Sequence, residues 1–215
     1  MSWESLSFDP RADLETELRY RYCDCDAPGQ PWDRGGSRVL PFLGKRAAVL
    51  CPGPSLVEAW QSAPHEHDYV IAVNSAIQAA PSAQWWACYD RGAMTGLRRP
   101  SLGMLTKAKN LGCLPGIQAW LSHSILPPSC RTAAYQFTAL GAQCLAAWLG
   151  AETIHVYGDD RKGEAYYDGT HRDGNTPLRW LKERILGDHV RDELVRHGVG
   201  IRRIRVRGGL QVVGG

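Results

Sequence analysis

The chain has 215 residues, of which 44% are hydrophobic and 22% charged, with a formal net charge of +3. That length suits one sizeable core, or one domain with a small appendage, in a soluble globular protein. The charge is too small to argue for nucleic acid by itself. No stretch approaches about 18 unbroken apolar residues and no N-terminal segment reads as a signal peptide, so a cytoplasmic protein without a membrane span is expected. Seven cysteines, an odd count without regular spacing, fit reduced core thiols. Cys23 and Cys25 have no second pair at a zinc-finger spacing.

Residues 1–44 differ in kind from the rest of the chain. They lean acidic at first, carry a polar helix candidate over Asp13–Tyr22, and are rich in Gly and Pro from Ala27 to Ser37. They are read as an arm or lid on a main domain, residues 45–215, in which strand and helix signals alternate. Ala47–Cys51 is a buried strand candidate, and Pro54–Gln61 a helix with proline in its first turn. Tyr69–Val73 is a second strand, followed by Asn74 and a helical segment to Ala80. Gln84–Tyr89 is a third strand ending at Asp90, and Leu102–Thr106 a weak fourth. Thr132–Leu149 reads as one alanine-rich helix stopped by Gly150. Thr153–Tyr157 is a strand ending in Gly158-Asp159-Asp160, and a polar loop then runs to Asn175. Pro177–His197 is a long amphipathic helix, and Ile201–Val206 the last strand. This alternation predicts an α/β fold, a Rossmann-like doubly wound and mostly parallel sheet with helices on both faces.

In such sheets ligands bind beyond the carboxyl ends of the strands, and here those ends carry polar residues. After the first strand, Gly53-Pro54-Ser55 would form a tight loop with free N–H groups before a helix N-terminus. That is a seat for a nucleotide phosphate, or alternatively an ordinary turn capped by Ser55. Neither the Walker pattern nor Gly-x-Gly-x-x-Gly is present. Asn74 stands where ribose or base contacts are made, unless it only forms the turn. Asp90 is placed to bind a sugar hydroxyl or a metal, or to pair with Arg91. Asp159 and Asp160, adjacent and pointing to opposite sides, are the most plausible magnesium ligands. His171, in a polar loop, suits a general base, with Tyr166 and Tyr167 able to donate to a departing phosphate. Trp85 and Trp86 point to opposite faces, leaving one to stack on a ligand where core packing does not claim both. Four arginines in Ile201–Arg207 form a solvated or acid-binding face, and only faintly suggest nucleic acid.

The order of these motifs resembles a known group. It consists of Gly53-Pro-Ser-Leu56, then Val70-Ile-Ala-Val-Asn74, Asp90, and Thr138-Ala-Leu-Gly running through Gly150 into Ile154-His-Val-Tyr-Gly-Asp-Asp160. The pattern is similar to the bacterial sialyltransferases that use CMP-sugar donors. It is equally similar to the archaeal 6-hydroxymethylpterin diphosphokinase-like proteins. The match covers roughly Arg46 to Val206. The first resemblance implies an inverting glycosyltransferase that needs no metal cofactor and acts on an unidentified hydroxyl acceptor. Gly53, Pro54, Ser55, Asn74, Asp90, Thr138 and Asp160 would hold the nucleotide or its sugar. His171 would be the base, and Tyr166 and Tyr167 would assist the leaving group. Cys51-Pro52 before the Gly-Pro-Ser turn and Arg161-Lys162 after the aspartates depart from the family pattern. The second resemblance implies a Mg²⁺-dependent pyrophosphokinase using Asp90, Asp159 and Asp160. A non-catalytic nucleotide-binding protein is the third expectation.

Overall fold

The computed structural model describes residues 46–63, 66–90, 103–106, 119–120, 126–161, 165–170 and 176–205. The expected arm, residues 1–44, and the loop histidine His171 lie outside them. Among the described residues seven strands form one sheet: β1 (Arg46–Leu50), β2 (Tyr69–Val73), β3 (Trp85–Ala87), β4 (Gly103–Thr106), β5 (Ala119–Trp120), β6 (Thr153–Tyr157) and β7 (Gly200–Ile204). Their order is β5-β4-β3-β2-β1-β6-β7, and every neighbouring pair is parallel. The fold is therefore the Rossmann-like α/β arrangement expected from the sequence.

Strands buried on both faces need continuous apolar runs rather than alternation. β1 satisfies this with Ala47, Ala48, Val49 and Leu50, all fully buried between β2 and β6. On one face Ala48, Leu50, Ala72 and Trp86 pack under helices α1 (Leu56–Gln61) and α2 (Ala76–Ala79). On the other, Ala47, Val49, Ile71 and Trp85 pack under α3 (Arg131–Gln136), α4 (Thr138–Trp148) and α5 (Pro177–Arg196). Trp85 and Trp86 are thus both consumed by the core, one on each face. α4 is apolar all round, as a helix enclosed by its neighbours must be, and ten of its eleven residues are buried. α5 begins at Pro177, with the Thr176 hydroxyl accepting from the Arg179 amide, the expected start signal.

The single helix expected over Thr132–Leu149 is two helices. Phe137 adopts an extended conformation (φ −121°, ψ 114°) that ends α3 and starts α4. No Gly or Pro marks the break. The buried Phe137 and Tyr135 side chains satisfy the core at the expense of one continuous helix. This break places the first turn of α4 at the carboxyl edge of the sheet. β5, only two residues long, went unpredicted.

Candidate functional site

The strand order reverses between β1 and β6, and a cavity of about 250 Å³ opens at the carboxyl ends of the strands there. Sheets of this kind bind ligands at that position, because strands leading to opposite directions splay apart and leave a crevice. Eight residues singled out in the sequence line it: Gly53, Pro54, Asn74, Asp90, Thr138, Asp159, Asp160 and Tyr166. α5 adds Arg179, Trp180 and Glu183, and the turn after β6 adds Arg161.

The loop after β1 does not present the free amides expected of it. The Gly53 amide donates to the Gly158 carbonyl (3.0 Å) and the Leu56 amide to the Gly53 carbonyl (3.0 Å). The Ser55 amide donates to Asp160 Oδ2 at 2.9 Å, and Pro54 has none. A buried donor must find an acceptor, and here a carboxylate from the end of β6 sits where an anion was expected. The Ser55 side chain caps nothing, and its buried hydroxyl oxygen has no partner. The glycines make this closure possible. Gly158 has φ +65°, a left-handed backbone, and a Cβ on it would overlap the Cys51 carbonyl; one on Gly53 would overlap the Gly158 carbonyl.

A second helix start borders the cavity. Thr138 and Ala139 open the eleven-residue α4, so their amides have no acceptor within the helix, and the Phe137 cap residue supplies no side-chain acceptor. Both residues line the cavity. The helix dipole adds positive field at the same place.

The two aspartates after β6 serve different ends. Asp159 is buried between two guanidinium groups, Arg161 Nε at 2.9 Å from Oδ1 and Arg203 Nε at 3.2 Å from Oδ2. Arg161 is itself buried. It donates to the Glu183 carbonyl at 2.9 Å, and Gly187 makes room for its guanidinium, which any Cβ there would overlap. Burial opposes the charge on Arg161, and the neighbouring Asp159 outweighs it, so the guanidinium stays charged. Arg203, read in the sequence as part of a solvated or acid-binding face, is thus tied to acids; it also lies 3.6 Å from Asp188. Of the proposed magnesium set, Asp159 is spent on arginines and one oxygen of Asp160 on an amide. Among the described residues no three His, Cys, Asp or Glu side chains converge as metal ligands.

Two non-glycine residues have left-handed backbones among the described residues, Asn74 (φ 49°) and Arg161 (φ 48°), and both line the cavity. Such conformations cost about 1 kcal/mol or more and cluster at binding sites. Asn74 also buries its Oδ1 with no partner, while its carbonyl accepts from Trp86 Nε1 at 2.8 Å. Tyr166 faces the cavity. Tyr167 does not: its hydroxyl donates to the Ser75 carbonyl at 2.8 Å on the α1/α2 face, so it is a strut for the loop. Cys51 also lines the cavity, but burial, then Asp159 and Glu183, push its thiol well up, away from nucleophilic thiolate chemistry.

Glu183, Arg179 and Trp180 were not singled out in the sequence. One signal was available for the first. The buried stripe of α5 runs Glu183, Leu186, Gly187, Val190, Glu193, Leu194, so a charged residue occupies a core position. Comparison with family models, curated proteins and solved structures found no match. No helix among the described residues is long and apolar enough to cross a membrane.

Proposed function

We propose that the chain is a nucleotide-dependent transferase, with a sugar nucleotide as favoured donor and a CMP-sugar first among them. The observation that supports this is convergence. Residues drawn from four separate strand ends and one helix start, chosen from sequence for nucleotide chemistry, meet in one cavity at the switch point of the sheet. The preference for a CMP-sugar rests on the motif resemblance alone.

In this scheme the donor phosphate sits on the Thr138 and Ala139 amides, with the Arg179 guanidinium adding charge from α5. Asn74 offers its unpaired amide oxygen to the nucleotide, and Tyr166 and Trp180 supply aromatic surface. The acceptor oxygen attacks the anomeric carbon as the phosphate departs. Fixed amides and the helix dipole stabilise the developing charge without reorganising, which is usually the largest single contribution to such a step. Asp160 keeps the loop after β1 closed and does not bind phosphate.

The pyrophosphokinase alternative would have to gather Mg²⁺ with Asp90 and the remaining oxygen of Asp160. A thermal-shift screen of CMP, UDP, GDP, ATP and their sugar conjugates, with and without EDTA, tests both. The glycosyltransferase predicts stabilisation by a nucleotide and its sugar conjugate, unaffected by EDTA. Stabilisation only by ATP with magnesium favours the kinase, and no stabilisation by any of them overturns both.

A further inference from the structure

α5 carries two buried glutamates that meet different fates. Glu193 pairs with Arg196 and lies 3.5 Å from His197 Nε2, the usual lot of a buried acid. Glu183 lines the cavity, is only 6% exposed, and has no hydrogen-bond partner at Oε2. A guanidinium is within reach, yet Arg161 donates to the main-chain carbonyl of Glu183 and gives its Nε to Asp159. Glu183 Oε2 and Arg161 Nη2 are both left without a hydrogen bond, so the carboxylate is not committed to that guanidinium.

The geometry points to Glu183 as the general base of the transfer, a catalytic residue that meets the acceptor hydroxyl from the α5 side of the cavity. This rests on the donor-site reading given above. The acceptor O–H bond breaks as its oxygen forms a bond to the anomeric carbon. The bond from that carbon to the phosphate oxygen breaks, its electron pair leaves with the nucleotide, and the proton passes to the Glu183 carboxylate. His171 is then not required as the base.

The surroundings suit the task. Glu183 is faced by Asp159 and Arg161 from the turn after β6, by Arg179 on its own helix, by Arg203 from β7 and by the Cys51 thiol at the end of β1. Burial first, and Asp159 second, raise its carboxyl to about 7 against the pull of the three arginines. A base poised near the working pH combines availability with driving force.

The test uses the full chain, CMP, UDP and GDP for affinity, and their sugar conjugates for turnover, read as nucleotide release with water as acceptor. Glu183→Gln is expected to lower turnover at least about 100-fold and erase the limb near pH 7, with nucleotide affinity within about two-fold. Glu193→Gln keeps the limb. If Glu183→Gln fails to fold, Glu183→Asp replaces it: the limb persists and turnover falls at least about ten-fold, because the base is one methylene short. Turnover and limb unchanged in the variant overturn the inference while leaving the donor site standing. So does a wild type that binds nucleotides but turns over none of the donors. Failure of all three nucleotides to bind overturns the donor site and the inference with it.

Discussion

Glu183 has a consequence for stability that is separate from catalysis. Its carboxyl stands near 7 in the folded chain against an ordinary value near 4.5, so the folded state holds the proton more firmly than the unfolded one. Its contribution is therefore fully present below about pH 4.5 and is lost as the pH rises through about 7. The shift corresponds to about 3 kcal/mol. Glu183→Gln, which cannot ionise, should be more stable than the parent at pH 8.5 by about that amount and nearly equal to it at pH 4.5, in urea unfolding at both pH values. Arg161 behaves in the opposite way. Removing it as Arg161→Met leaves Asp159 buried with Arg203 as its remaining ion-pair partner, and unfolding should become easier, by less than the about 3–5 kcal/mol of a buried charge left wholly unpaired. Neither residue advertises its role in the sequence. Arg161 lies in a polar loop, and Glu183 betrays itself only by falling on the apolar stripe of its helix.

At the scale of elements, the break at Phe137 decides where phosphate can bind. Had Thr132–Leu149 been one helix, the Thr138 and Ala139 amides would be bonded within it and would not border the cavity as free donors. The Thr138 amide can be deleted cleanly, since proline is tolerated at the first helical position and the residue before it is already extended. Thr138→Pro should fold with a melting temperature close to that of the parent and bind CMP or UDP about ten-fold more weakly by calorimetry. Thr138→Ala, which keeps the amide, should retain most of the affinity. Equal binding by Thr138→Pro and the parent would remove α4 as the anion seat. The loop after β1 had the stronger claim in the sequence, because Gly53-Pro54-Ser55 precedes a helix. It lost that claim to Asp160, 105 residues away from Ser55, a separation no local pattern reveals.

For the whole molecule, the cavity exists because a parallel sheet reverses its strand order between β1 and β6. A ligand seated there touches both halves of the fold, and so must stabilise the folded chain by mass action. At a hundred times its dissociation constant the correct nucleotide should contribute about 2.7 kcal/mol. For a chain of this size that raises the melting temperature by roughly 5–10 °C. A shift of that size in the parent and a much smaller one in Thr138→Pro, both by scanning fluorimetry, would tie the global effect to the α4 amides.

The sequence by itself determined the alternation of strands and helices, the α/β class, and the positions at which polar residues follow strands. Those features are local: apolar runs of β-branched and small residues, helix starts and stops, and glycines where strands end. β2 and β6 fall where the sequence placed them. Only the tertiary structure decided which polar residues face one another. Asp160 closes a loop, Asp159 neutralises two arginines, Tyr167 turns to the opposite face of the sheet, and Glu183 enters the cavity from a helix beyond β6. The physical reason is that pairing, burial and proton affinity depend on distances through space, and a parallel sheet brings together residues that the chain keeps far apart.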